Sequence, residues 1–171
     1  MPTTLILIRH GQAVERADWA TQSLDDAERP LTERGAEKML LQAKGLRSVV
    51  GSVDEIISSP FTRAAQTAAI LAQVFKREVI HEEPLLASGS DAAPLFPRLL
   101  EEYPERTVAL VGHEPDLSLL LGFLLTRRSD AFTSLKKGSA VVLEAQRVEN
   151  QMQCILRHYL APRILRQLAE G

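Results

Sequence analysis

Two runs of consecutive apolar residues, Leu5-Ile6-Leu7-Ile8 and Val108-Ala109-Leu110-Val111, most constrain the fold. A strand with one solvated face alternates apolar and polar residues. A strand without a polar side is buried on both faces, which is the signature of a parallel sheet covered by helices. Segments of helical period alternate with these runs. Ala36, Met39, Leu40, Ala43, Leu46 and Val50 share one helical stripe, with Thr32 as the N-cap. Asp54–Ser58 reads as a second strand. Ser59 and Pro60 then read as the N-cap and first residue of a helix whose stripe is Ala64, Ala68, Leu71 and Phe75. A third strand is expected over Glu78–His81, a helix over Ala92–Tyr103, a strand over Thr107–Val111 and a helix over Asp116–Leu125. The stretch Gln12–Pro30 has no clear period.

The last part of the chain differs. Ala140–Leu143 and Met152–Tyr159 are strand-like, joined by the polar stretch Glu144–Gln151, and they read as a hairpin. Pro162 opens a short C-terminal helix. The expected fold class is α/β: a three-layer α/β/α sandwich with a mainly parallel sheet and an antiparallel edge near the C-terminus. Residues 1–171 are expected to form one domain.

Composition narrows the function classes. A net charge of −2 argues against broad nucleic-acid binding, which needs a surplus of cations on one face. The one cysteine, Cys154, has no disulfide partner in the chain and reads as a buried, inert thiol. No secretory signal is visible, and the apolar block Leu117–Leu125 is short and broken by Ser118 and Gly122. No membrane association is expected, and a cytoplasmic location is the default.

In an open α/β sheet, ligands bind at the carboxyl ends of the strands. Arg9-His10-Gly11 lies at the end of the first strand. Arg63 lies in the first turn of the helix after the second. His113 follows the Val108–Val111 strand. If those strands are parallel, two arginines and two histidines share one pocket beside a helix N-terminus, an arrangement suited to phosphate. Taken singly, each has a blander reading: His113 a hydrogen-bonded structural residue, Arg63 a solvated helix charge. Their joint position at equivalent strand ends is what carries weight.

Ile8-Arg9-His10-Gly11, Ser58-Ser59-Pro60-Phe61-Thr62-Arg63-Ala64-Ala65-Gln66-Thr67-Ala68 and Val111-Gly112-His113-Glu114-Pro115 resemble the signature segments of the histidine phosphatase superfamily, the phosphoglycerate-mutase-like fold. Arg29-Pro30-Leu31-Thr32 with Gly35 resembles a further segment typical of the short SixA-type phosphohistidine phosphatases. The resemblance implies that His10 is the nucleophile, forming a covalent phosphohistidine. It implies that Arg9, Arg63 and His113 surround the phosphate oxygens and that no cofactor or metal is needed. Arg29 is either a further phosphate ligand or a packing arginine.

Mutase-like relatives protonate an alcohol leaving group with a carboxylic acid from the loop after the third strand. That loop here lacks the Gly-x-x-Glu-Gly pattern; Glu82 and Glu83 are candidates for the acid, with solvated charges as the alternative. An imidazole leaves from phosphorus with less help than an alkoxide, so a missing acid favours a P–N substrate. The expected partner is therefore a phosphorylated protein of the histidine-phosphotransfer type, in phosphorelay signalling. A broad small-molecule (sugar) phosphatase is the alternative, and a catalytically idle phosphate-binding module a third. His81 and His158 have no counterpart in the family pattern. Lys136-Lys137-Gly138 reads as a solvated turn, with a basic rim of the site as the alternative.

Overall fold

A computed structural model describes residues 1–149 and 151–171. Its six strands form one sheet in the order β3-β2-β4-β1-β5-β6. They are β1 (Thr3–Arg9), β2 (Glu55–Ser58), β3 (His81–Glu82), β4 (Thr107–Gly112), β5 (Ala140–Val148) and β6 (Gln151–Leu160). The helices are α1 (Arg16–Ala20), α2 (Glu33–Val50), α3 (Thr62–Phe75), α4 (Leu95–Glu102), α5 (Asp116–Thr126) and α6 (Pro162–Leu168). β1, β2, β3 and β4 are mutually parallel. β5 runs antiparallel to β1 and to β6. The expected α/β/α sandwich with an antiparallel C-terminal edge is what the chain adopts.

Alternate residues of the buried strands feed two cores. Leu5, Leu7, Val108, Leu110 and Leu143 pack under α4 and α5. Ile6, Ile8, Ile56, Ala109 and Val142 pack under α2, α3 and α6. The unbroken apolar runs are thus explained, because both faces of β1 and β4 are covered. α5 is apolar nearly all round, and most of its residues are buried.

Several boundaries differ from expectation for identifiable reasons. Thr32 caps α2 as expected, its hydroxyl accepting the Gly35 amide at 2.9 Å. Ser59 and Pro60 do not open α3. Phe61 is the extended N-cap residue, and the Ser59 hydroxyl is committed to a histidine across the sheet. β3 is only His81–Glu82, shorter and later than expected, because only those residues reach β2. α4 begins at Leu95, after Pro94. The polar stretch Glu144–Gln151 mostly continues the two hairpin strands, whose pairing holds from Ala140–Leu160 to Val148–Gln151; Asn150 lies outside the described residues. Alternation with one exposed face hid this extension. The aperiodic Gln12–Pro30 stretch contains α1, which buries no residue, and a 3₁₀ turn over Asp26–Glu28. Cys154 is half-buried in β6, and burial pushes its thiol up to about 11.

α2 and α6 meet at Gly45, where a Cβ would stand 1.8 Å from the Leu165 carbonyl oxygen. Alanine improves helix propensity by about 1 kcal/mol, but overpacking against rigid backbone costs about 1–3 kcal/mol. Gly45→Ala should therefore lower the melting temperature by several degrees. An unchanged or raised value in a thermal melt contradicts this contact.

Candidate functional site

Three strand ends stand level because of the sheet register. Arg9 of β1 pairs with Gly112 of β4, and Ser58 of β2 with Val111 of β4. The residues after each strand therefore emerge side by side: His10, Ser59 and His113. The loop before β5 closes over them. The Gly138 amide is shared between the carbonyls of Arg9 and His10, both at 3.1 Å. Gly138 has φ of +79°, which favours glycine, and a Cβ there would displace the end of the Gln42 side chain.

α3 is tied to the same edge. The Gly11 amide donates to the Thr67 hydroxyl at 3.0 Å, and that hydroxyl donates to the Arg63 carbonyl at 2.8 Å. Arg63, in the first turn of α3, is 1 % exposed despite its charge. Phe61 packs between the site groups: its ring centroid lies 5.1 Å from that of His113, and the Arg63 guanidinium carbon lies 5.1 Å from the same ring.

Arg9, His10, Arg29, Arg63 and His113 line one cavity of about 170 Å³, with Glu15, Arg16, Ser88, Glu114 and Lys137. The four groups expected to converge do so, and Arg29 joins them. Glu82 and Glu83 do not. Glu82 is exposed on β3. The Glu83 carboxylate is held by Arg98 and by the Leu85 amide at 3.0 Å, so it caps a turn instead of facing the cavity. The carboxylates at the cavity are Glu15 and Glu114. The Glu114 carboxylate accepts the Ser118 hydroxyl at 2.6 Å and the Ser118 amide at 3.2 Å. Sequence reading missed both: Glu15 follows an aperiodic segment, and Glu114 stood beside His113 without an assigned role. Lys137 lines the cavity, so the basic-rim reading of that turn is the one the structure favours.

His10 donates from Nδ1 to the Gly11 carbonyl at 2.7 Å. In the neutral ring this leaves Nε2 with its lone pair free. Burial pushes the His10 pKa down to about 3, opposed by the Gly11 hydrogen bond and assisted by His113, Arg63 and Arg9. Burial, then the charge of Arg63, pushes His113 down to about 3 as well. The His113 Nε2 lies 2.7 Å from the Ser59 hydroxyl, which also accepts the Phe61 amide at 3.2 Å. If Ser59 donates to Nε2, the proton of neutral His113 sits on Nδ1. Ser59 is thus a positioning group that looked in sequence like a helix cap.

Asp26 gathers the arginines. It accepts from Arg63 through its carbonyl (2.7 Å) and its carboxylate (3.1 Å), from Arg29 Nε at 2.9 Å, and faces Arg16 at 3.5 Å. Partial burial would raise its pKa, but the Arg29 hydrogen bond and the charges of Arg63, Arg29 and Arg16 outweigh this and hold it below the usual carboxylate range. Arg29 also donates to the Val14 carbonyl at 2.7 Å, and Arg9 to the Leu135 carbonyl at 2.6 Å. Even so, Arg9 Nε, Arg63 Nε and His113 Nδ1 are buried without a hydrogen-bond partner among the described residues. Each such group costs about 1–3 kcal/mol of desolvation, and the three belong to residues that line the same cavity.

The family model of the histidine phosphatase superfamily, branch 1, matches residues 5–87, which include Arg9, His10 and Arg63. The chain belongs to the histidine phosphatase superfamily. Members of this superfamily are phosphatases. The chain is 34 % identical over 152 residues to an uncharacterized protein of Picosynechococcus sp., covering 82 % of this chain and 84 % of that one. Its fold is similar to that of the protein histidine phosphatase SixA complexed with tungstate, with a TM-score of 0.78 and 20 % identity, covering 95 % of this chain and 99 % of that one. A mycobacterial glucosyl-3-phosphoglycerate phosphatase complexed with VO3 is also similar, with a TM-score of 0.71 and 19 % identity, over 92 % and 99 % of the two chains. Among the described residues no helix is long and apolar enough to cross a membrane.

The neutral histidines set a pH dependence for this family member. Their pKa values fall from the ordinary 6.5 to about 3 in the fold. The unfolded chain therefore binds more protons between those values, and folding stability rises with pH across that window. Urea unfolding should give a stability that is full above about pH 6.5 and lost progressively as pH falls toward 3. His10→Gln should flatten part of this slope; an identical slope in wild type and variant contradicts a buried, neutral His10.

Proposed function

We propose that the chain is a phosphohistidine phosphatase that passes the phosphoryl group through His10. The observation that carries this reading is the His10 Nδ1–Gly11 carbonyl bond, which leaves the Nε2 lone pair free on a ring that lines the same cavity as Arg9, Arg63 and His113. A neutral imidazole is the nucleophilic form, so the depressed pKa keeps His10 reactive at neutral pH.

In this reading Nε2 attacks phosphorus as the P–N bond to the substrate imidazole breaks. The departing ring takes a proton from water. Water then attacks phospho-His10, the Nε2–P bond breaks, and inorganic phosphate leaves. Arg9 and Arg63 neutralise the phosphoryl oxygens, the His113 Nδ1–H donates to them, and together they stabilise the charge that develops in transfer. Arg29, fixed by Asp26 and Val14, adds positive potential at the cavity wall. The SixA structure that binds tungstate, an oxyanion shaped like phosphate, supports this reading by fold similarity. So does the lack of a carboxylic acid at the Glu82–Glu83 position.

A second reading, a small-molecule phosphatase, rests on Glu15. Its exposed carboxyl lines the cavity and has no partner among the described residues, the placement that a proton donor to a leaving alcohol requires. The mycobacterial sugar-acid phosphatase of similar fold favours the same substrate class.

A substrate panel separates the two. On the leading reading the purified chain dephosphorylates a phosphorylated histidine-phosphotransfer domain faster than it hydrolyses sugar phosphates. His10→Ala abolishes the activity, and Arg63→Ala lowers kcat by about 10²–10³-fold. A labelled phosphotransfer domain left intact while sugar phosphates turn over efficiently refutes that reading. Glu15→Gln tests the second: it should slow alkyl phosphates far more than p-nitrophenyl phosphate, whose leaving group needs no proton. Equal effects on both remove Glu15 as the acid.

A further inference from the structure

A second cavity, of about 290 Å³, adjoins the first and shares Lys137 with it. Four segments meet there. Gln12 comes from the turn just after His10, Lys38 and Gln42 from successive turns of α2, Lys137 from the loop before β5, and Arg166 from the last turn of α6. Lys38 and Gln42 are four residues apart and so lie on one helix face.

Two features suit this cavity to an anion. The first is charge. Lys38, Lys137 and Arg166 are half-buried in a chain of net charge −2, and no carboxylate among the described residues pairs with any of them. Three like charges brought together without a counterion repel one another, and an anion relieves that repulsion. The second is Gln42. Its side chain lines the cavity and makes no hydrogen bond to the described residues, so its amide is available as a donor to a ligand there.

We propose that this cavity is a second anion subsite, taking a carboxylate that the substrate protein carries beside its phosphohistidine. Lys137 stands at the junction, so one substrate surface spans both cavities, with the phosphoryl group at His10 and an aspartate or glutamate between Lys38 and Arg166. The Gln42 amide donates to that carboxylate. The proposal rests on the reading of His10 as phosphoryl acceptor and adds the chemistry that selects the partner: an acidic flank next to the modified histidine.

The test uses the full chain and two substrate pairs. The first pair is a phosphohistidine peptide flanked by glutamates and the same peptide flanked by glutamines. The acidic peptide should show a KM about tenfold lower at equal kcat, the size of two partly screened ion pairs. The double variant Lys38→Gln/Arg166→Gln should erase that preference and leave p-nitrophenyl phosphate hydrolysis within about twofold of wild type, two substituted charges lying outside the phosphate cavity. The second pair is fructose 1,6-bisphosphate and fructose 6-phosphate. If only the bisphosphate is preferred, and the double variant abolishes that preference, the anion subsite stands and the phosphohistidine reading falls. Equal KM values within both pairs for wild type, or a preference that survives in the double variant, overturn the subsite.

Discussion

The site depends on strand register. β4 pairs with β1 on one side and β2 on the other, so Arg9, Ser58 and Gly112 end at one level. A shift of one residue in either pairing would turn alternate side chains to the opposite face. It would also separate His10 from His113, whose ring centroids lie 5.1 Å apart. The apolar residues that make β1 and β4 core strands therefore also fix the geometry of the polar groups at their ends. Packing and chemistry share one constraint, because a slipped strand would lose both cores and the cavity together.

That geometry crowds cations in a poorly solvated place. Burial lowers the pKa of both Arg9 and Arg63, opposed by Glu114 and Asp26 respectively. The arginines nevertheless stay charged, since guanidinium titrates far above neutral pH. The histidines yield instead and remain neutral. Asp26 supplies the counter-charge for Arg16, Arg29 and Arg63, while the orphan donors of Arg9, Arg63 and His113 stay uncommitted. On the proposed reading these fixed positive groups are a preorganised receptor for a phosphoryl group, because little has to move when the anion enters.

Much of this was legible in the sequence. The apolar runs announced a doubly covered sheet. The rule that ligands gather at strand carboxyl ends was enough to bring Arg9, His10, Arg63 and His113 to one place. What the sequence hid was the use of ambiguous polar residues. Ser59 before Pro60 has the pattern of a helix cap, yet its hydroxyl holds His113; no local pattern separates the two uses. Asp26 and Glu15 lie in a stretch without periodicity, where side-chain direction cannot be read. Glu83 had the right residue type near the right strand, but Arg98, fifteen positions on, takes its carboxylate. Ser59, Asp26 and Glu83 were misjudged because their side-chain partners are distant in sequence, which periodicity does not encode.

The two cavities differ in the charge of their linings. Glu15 and Glu114 line the phosphate cavity, whereas Lys137 links it to Lys38 and Arg166. Arg9 and Arg63 attract a phosphoryl group from any direction, but they do not choose which way the remainder of the substrate points. On the proposed reading the basic rim makes that choice, drawing an anionic appendage past Lys137 toward Lys38 and Arg166. A neutral sugar feels no such torque. On that proposal, selectivity for the substrate's flank resides in the loop before β5 and the faces of α2 and α6 that line the second cavity, while the strand ends supply the chemistry common to every substrate.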